Sequence, residues 1–253
     1  NLSRNIIHHL RDSNDVRIVD PELIKTTAVN YYHQLLGTEN QTVQPFTKTQ
    51  IQNLHPYRCD YSMATNLSYV PSNEEIIKSL FSLPKNKAPG PDGFTRDFFT
   101  FSWDLVGTDL IAAVKDFFVS SYMLPQLNST VIALIPKVSG ADRLTDFRPI
   151  SLCNTVYKVI SRILSSRLKL LAPLVVQRNQ AGFVEGRLLC ENILLATELV
   201  TDFNKDGDVK RGCLQIDISK AFDNLDWKFI VNLLEAFELP HVFVNWIYLC
   251  IST

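Results

Sequence analysis

The chain has 253 residues, 46% hydrophobic and 20% charged, which suits a folded protein of one or two domains rather than a disordered or fibrous one. It holds no run of about 18 apolar residues, so no membrane span is expected, and no basic-then-apolar leader opens it. Net charge is −1, which taken whole argues against nucleic acid, yet residues 131–190 carry nine Lys/Arg against three acids and residues 191–253 carry five against ten. A basic stretch beside an acidic one is what a phosphate-tracking groove leading to a metal site needs, although solvated helix faces account for many such charges.

In chain order, residues 1–70 say least. Helical spacing is present over Asn5–Arg11 and over Asp20–Leu36, the second running to Gly37 as a C-cap. Residues 38–70 are polar, contain Pro45 and Pro56, and read as a linker or irregular cover. His8, His9, His33 and His55 lack metal-ligand spacing and read as surface or packing residues. The cysteines (Cys59, Cys153, Cys190, Cys213, Cys250) are odd in number and never form a C-x-x-C pair, so they read as reduced thiols of an intracellular protein.

Ser72 and Glu75 make a capping box for a helix that carries Ile76, Ile77, Leu80 and Phe81 and stops by Pro84. Asn86–Phe94 (Asn-Lys-Ala-Pro-Gly-Pro-Asp-Gly-Phe) follows as a rigid turn or inter-helix corner, with Gly90 and Gly93 free to take positive φ or admit another backbone. Two helices are expected next, Arg96–Leu105 and Asp109–Phe118, broken by Leu124-Pro125. Thr130–Lys137 is a β-branched strand, and Phe147–Cys153 is expected as a second strand. Joined as a hairpin, they present Lys137 and Arg148 together. From Asn154 an amphipathic helix runs to about Leu171 and ends at Pro173, with Lys158, Arg162, Arg167 and Lys169 around its polar side.

Gln180–Arg187 is a glycine-containing loop and Glu191–Phe203 a helix. Cys213–Ile218 reads as a buried strand, Leu214, Ile216 and Ile218 alternating with Cys213, Gln215 and Asp217. A carboxylate at the end of such a strand is costly unless paired or metal-bound, so Asp217 is either a metal ligand or the cap of a following helix. Asp202–Gly207 imitates the start of a calcium loop, but Cys213 stands where a bidentate Glu is required, and a hairpin turn explains the same residues. Asp226 reads as the N-cap of a helix from Trp227 to Phe237, and a further apolar helix follows Pro240.

Five collinear pieces then resemble one family: Asn86–Phe94, Leu134-Ile-Pro-Lys137, Phe147-Arg-Pro-Ile-Ser-Leu152, Gln180-Ala-Gly-Phe183 with Gly186-Arg187, and Asp217-Ile-Ser-Lys-Ala-Phe-Asp223. Together they resemble the reverse transcriptases of non-LTR (LINE-type) retrotransposons, in wording closest to plant elements. The resemblance implies an α+β right-hand polymerase in which residues 80–253 form the fingers and first part of the palm. Residues 1–79 would then be a helix-rich N-terminal extension, and the thumb is absent. It implies an RNA template, a DNA primer and a dNTP as partners, and two Mg²⁺ ions in the complete site. Localisation inside the cell, in nucleus or cytoplasm, is the family expectation, since no targeting signal is readable.

By the same resemblance Asp217 is the first catalytic metal-binding aspartate, and Ile218 lends its carbonyl to the same metal. Lys137 and Arg148 hold the incoming triphosphate, with Lys220 and Ala221 offering backbone N–H groups. Phe222 lies under the sugar and excludes a 2′-hydroxyl, a position that its residues alone would explain as core packing. Gln180, Gly182, Phe183 and Arg187 line the template and primer path. Asp223 supports the turn. The family's Gly-Gln-Gly loop and aromatic-x-Asp-Asp hairpin do not occur in the 253 residues. With Asn1 first and an apolar run up to Thr253, the sequence reads as a fragment inactive by itself. The alternative is a decayed copy that acts at most as a nucleic-acid-binding or interaction module.

Overall fold

A computed structural model describes residues 6–252 apart from 13, 38–43, 183, 202, 204–213 and 215–224. The first departure from expectation is at the N-terminus. Leu10–Arg11 (β1) pairs antiparallel with Arg17–Ile18 (β2), where the spacing of Asn5–Arg11 suggests a helix. The Asp12 carboxylate accepts the N–H groups of Asn14 and Val16, both at 2.9 Å, and Asp15 takes φ 64°. Local Asx bonding of this kind offers the backbone an alternative to a helix, and burial of Leu10 secures it.

The helix Pro21–Gly37 (α1) forms as expected, with Pro at its first position and the Asp20 carboxylate accepting from the Leu23 N–H at 2.9 Å. Within residues 38–70, expected to be irregular, two helices stand: Lys48–Leu54 (α2) and Tyr61–Ser68 (α3). Each has a cap legible in the sequence. Thr47 and Gln50 form a reciprocal capping box, and Asp60 accepts from the Met63 N–H at 2.8 Å. Polar composition concealed them.

Asn73–Phe81 (α4) is capped by Ser72, whose hydroxyl accepts from the Glu75 N–H at 3.2 Å. Beyond the corner lie Arg96–Phe101 (α5) and Trp103–Ser120 (α6), broken at Ser102 rather than after Leu105. Gly107 stays helical with the Trp103 ring against it, where an added Cβ would sit 2.8 Å away. Helix α6 ends at Ser121, in the left-handed region. Leu124-Pro125 therefore starts the short helix Pro125–Asn128 (α7) rather than ending α6.

Thr130–Pro136 (β3) and Phe147–Cys153 (β4) form the expected antiparallel hairpin. Thr155–Val175 (α8) follows and continues two residues past Pro173, which stands inside it. A proline in the last turn removes one bond, but the Val176 N–H still donates to Ala172 at 2.9 Å. The remaining helices are Leu189–Val200 (α9), Trp227–Ala236 (α10) and His241–Ser252 (α11). Asp226 caps α10 by accepting from the Phe229 N–H at 2.9 Å, as expected. The strand expected at 213–218 lies, apart from Leu214, outside the described residues.

Two cores result. The larger gathers α3, α4, α6, α8, α10 and α11 around residues such as Ile76, Val114, Phe118, Ile160, Phe243 and Trp246. Full burial of each aliphatic or Phe side chain is worth about 1.5–3 kcal/mol. The smaller joins β1–β2 and α1 to the hairpin: Leu10, Ile18, Ile24 and Tyr32 pack with Leu144 and Phe147. Among the described residues no helix is long and apolar enough to cross a membrane.

Arg167 marks where a sequence reading of charge misleads. It is only 3% exposed, so it belongs to no basic face. Its guanidinium donates to the carbonyls of Leu67 (3.0 Å) and Tyr69 (2.7 Å) and pairs with Glu75 at 3.2 Å. It also lies 4.0 Å over the Tyr69 ring. Glu75, expected to complete the capping box, spends its carboxylate on this cation. The pair ties the α3–α4 connection to α8.

Candidate functional site

The hairpin register sets the site. Thr130 faces Cys153, Ile135 faces Arg148 and Pro136 faces Phe147, so Lys137 and Arg148 emerge at the same end. The Lys137 N–H extends the pairing by donating to the Asp146 carbonyl at 2.8 Å, and its ammonium donates to the Thr145 carbonyl at 2.6 Å. The Arg148 guanidinium forms no hydrogen bond or ion pair with the described residues. Both cations line one cleft of about 580 Å³, to which α1 contributes a wall of Tyr31, Tyr32 and Leu35. Sequence reasoning missed that wall. Its signal was an aromatic pair with Leu35 one turn beyond Tyr31, in a stretch set aside as uninformative.

The hairpin tip is held from outside. The Arg11 guanidinium bonds to the Asp142 carboxylate at 2.8 Å, and the Arg11 N–H donates to the Asp142 carbonyl at 2.6 Å. Arg143 pairs with Asp15 at 2.5 Å. Asp142 and its neighbour Asp15 raise the pKa of the Arg11 guanidinium further. These pairs fix β1–β2 against the tip, and the smaller core fixes α1 with it.

At the other end of the hairpin, the corner Asn86–Phe94 is fastened to the start of α8. Buried Asn154 accepts from the Asp92 N–H (3.1 Å) and donates to the Gln126 carbonyl (2.8 Å), and Thr155 donates to the Phe94 carbonyl (2.8 Å). An added Cβ on Gly90 would lie 2.2 Å from the Asn154 Oδ1 and 2.4 Å from its backbone nitrogen. Gly93 takes φ 77°. The corner is thus shaped by one close approach and one left-handed residue.

Gln180, Gly182 and Arg187 lie in a loop after α8, with Ala181 and Val184 buried beneath it. The Arg187 guanidinium donates to the carbonyls of Gln180 (2.7 Å) and Val176 (2.8 Å) and also to Gln177. A cation there satisfies orphan carbonyls past the helix C-terminus. None of the loop's described residues lines the cleft of Lys137 and Arg148. Phe183, Asp217, Ile218, Lys220, Ala221, Phe222 and Asp223 lie outside the described residues. Among the described residues no group of three or more His, Cys, Asp or Glu is placed to share a metal ion.

The basic stretch 131–190 divides by use. Arg143, Arg167 and Arg187 are spent on internal partners. Arg148, Arg162, Lys169 and Arg178 are exposed and form no hydrogen bond or ion pair with described residues. Near α11, the Tyr157 hydroxyl donates to the Cys250 carbonyl at 2.9 Å, and burial raises the Tyr157 pKa. Burial also pushes the Cys250 thiol up to about 12.

Residues 135–253 match the family model described as "Reverse transcriptase (RNA-dependent DNA polymerase)". The chain is also similar to the "Transposon TX1 uncharacterized 149 kDa protein" of Xenopus laevis, 28% identical over 228 residues, which is 90% of this chain and 17% of that protein. It is 29% identical over 181 residues to the "Retrovirus-related Pol polyprotein from type-2 retrotransposable element R2DM" of Drosophila melanogaster, covering 70% of this chain and 16% of that one. A type-1 R2 element polyprotein of Nasonia vitripennis is 28% identical over 185 residues, covering 70% of this chain and 17% of that one. The chain thus spans about one sixth of the length of these relatives, and the similarity to the Xenopus protein extends well beyond the 135–253 match.

Proposed function

We infer that residues 135–253, which match the reverse transcriptase family model, carry part of a reverse transcriptase domain of the non-LTR retrotransposon kind, and that the chain serves RNA-templated addition of deoxynucleotides to a DNA 3′ end. The observation that carries the reading is the hairpin end, where two cations, one of them without a hydrogen bond or ion pair among the described residues, line a single cleft of nucleotide size. Lys137 and Arg148 take the triphosphate there. Positioned cations stabilise the charge that builds on a transferring phosphoryl group, and they are most effective when held before the substrate arrives. The ion pairs at the tip supply that holding.

The remaining assignments follow the motif. Asp217 and the Ile218 carbonyl bind metal, Lys220 and Ala221 donate N–H groups to the phosphates, and Phe222 supports the sugar. Gln180, Gly182, Phe183 and Arg187 border the template and primer. We assign residues 80–253 to the fingers and the first part of the palm, and residues 1–79 to an extension. The family uses divalent metal ions, here proposed to be Mg²⁺, which would lower the cost of forming the attacking 3′-oxygen and stabilise the leaving pyrophosphate. A two-metal site needs more than one carboxylate, and the 253 residues contain no aromatic-x-Asp-Asp motif. The chain by itself therefore binds substrates without joining them.

The test is equilibrium binding of dTTP to the chain with Lys137→Ala and Arg148→Ala. Hydrogen bonds to charged groups contribute about 1.5–3 kcal/mol, so each variant should weaken binding roughly tenfold or more. Affinity unchanged in both variants would remove the assignment.

A further inference from the structure

We propose that Tyr31, on a helix far upstream of the matched region, is part of the nucleotide site and packs against the base of the nucleotide whose phosphates Lys137 and Arg148 hold; this rests on the assignment of those two cations. The lining of the cleft combines two kinds of group: the cations Lys137 and Arg148, and the aromatic and aliphatic side chains of Tyr31, Tyr32 and Leu35. Its volume, about 580 Å³, lies within the range of clefts that enclose one small organic ligand. A ligand that satisfies both kinds needs several anionic oxygens and a flat π-face joined by a short spacer. A nucleoside triphosphate has that form.

The wall is built to stay in place. Tyr32 is buried in the smaller core with Leu144 and Phe147, so the helix is packed on the same hairpin that presents the cations. Tyr31 meets Tyr32 edge to face, with ring centroids 5.1 Å apart and planes at 89°. Leu35 follows one helical turn after Tyr31 and continues the apolar side. The Arg11–Asp142 and Arg143–Asp15 pairs lock the strands before α1 onto the hairpin tip. Cations and wall therefore move as one body, and the spacing between a bound phosphate and a bound base is set before binding.

Stacking of a base on an aromatic side chain is lost on truncation to alanine, with a cost that corresponds to roughly tenfold in affinity. The test compares two probes on the whole chain: dTTP, and inorganic tripolyphosphate, which has the phosphates but no base. Tyr31→Ala should weaken dTTP roughly tenfold and leave tripolyphosphate unchanged. Tyr31→Phe, which keeps the ring, should match the parent chain on both. Arg148→Ala should weaken both probes. If Arg148→Ala weakens both while Tyr31→Ala weakens neither, the inference falls and the phosphate assignment stands. If Tyr31→Ala weakens both probes equally, its role is structural and the inference also falls. If Tyr31→Ala fails to fold, Tyr31→Leu takes its place, and dTTP affinity equal to the parent's in that variant overturns the inference. Absence of dTTP binding by the parent chain overturns both readings.

Discussion

Replacing Arg167 tests how the region upstream of the reverse transcriptase match is held to it. The side chain is 3% exposed and meets two carbonyls, a carboxylate and an aromatic face. Removing one member of a buried pair costs about 3–5 kcal/mol, because the other is left without its partner in a poorly solvated place. Here the Glu75 side chain keeps 24% exposure and regains some water, which lowers that cost. The Leu67 and Tyr69 carbonyls lose a donor, at about 1–3 kcal/mol for each group that stays buried. Arg167→Met, which fills the space without donors, should therefore lose about 3 kcal/mol. Arg167→Lys keeps the charge but not the planar fork and should lose roughly half as much. Equilibrium urea unfolding reads this directly. With a slope of about 2 kcal/mol/M the midpoint should fall by roughly 1.5 M for the Met variant. A loss for Arg167→Met within about 0.5 kcal/mol of zero would refute the argument that this cation holds the α3–α4 connection to α8.

Other predictions concern the corner, the thiols and alkaline pH. Gly90→Ala should destabilise by more than Gly93→Ala: the first forces a Cβ to 2.4 Å from the Asn154 backbone nitrogen, and the second adds only the cost of a positive φ, about 1 kcal/mol. Thermal unfolding of the two variants ranks them, and the reverse order would contradict the close approach. Cys190, exposed, should react with a thiol reagent at pH 8 in the folded chain, and Cys250 only after unfolding, as mass spectrometry of labelled peptides would show. The Cys250 pKa is raised in the folded state from an ordinary value of 9.0 to about 12, so the unfolded chain releases this proton first. Its contribution to stability is complete below pH 9 and is lost as pH rises towards 12; Cys250→Ala should flatten that part of the stability–pH curve.

The hairpin was legible because its information is local. Thr130–Pro136 is a β-branched run, Phe147–Cys153 is a short segment between turn residues and the cap of the next helix, and both strands stand where expected. The caps at Ser72 and Asp226 were equally plain, since a hydroxyl or carboxylate three residues before a free N–H acts through short-range geometry. Helices α2 and α3 escaped because their apolar sides are short, and only packing against α10 and against the large core, respectively, makes them worth forming. Arg167 escaped for a different reason. Nothing in its neighbours separates a solvated arginine from one that a distant Glu75 has drawn inside. Long-range pairing also conceals the cleft, whose two walls lie more than a hundred residues apart in sequence. The motif around Asp217 is the opposite case, specific as a string and outside the described residues.

The most direct test is templated incorporation of dTTP on a poly(rA)–oligo(dT) substrate by the longest polypeptide that the gene encodes. The parent protein is compared with Asp217→Asn and Arg148→Ala. The account predicts incorporation by the parent, none by Asp217→Asn, and a raised KM for dTTP with Arg148→Ala. Incorporation by Asp217→Asn at the parent's rate, or no incorporation by the parent protein, would contradict it.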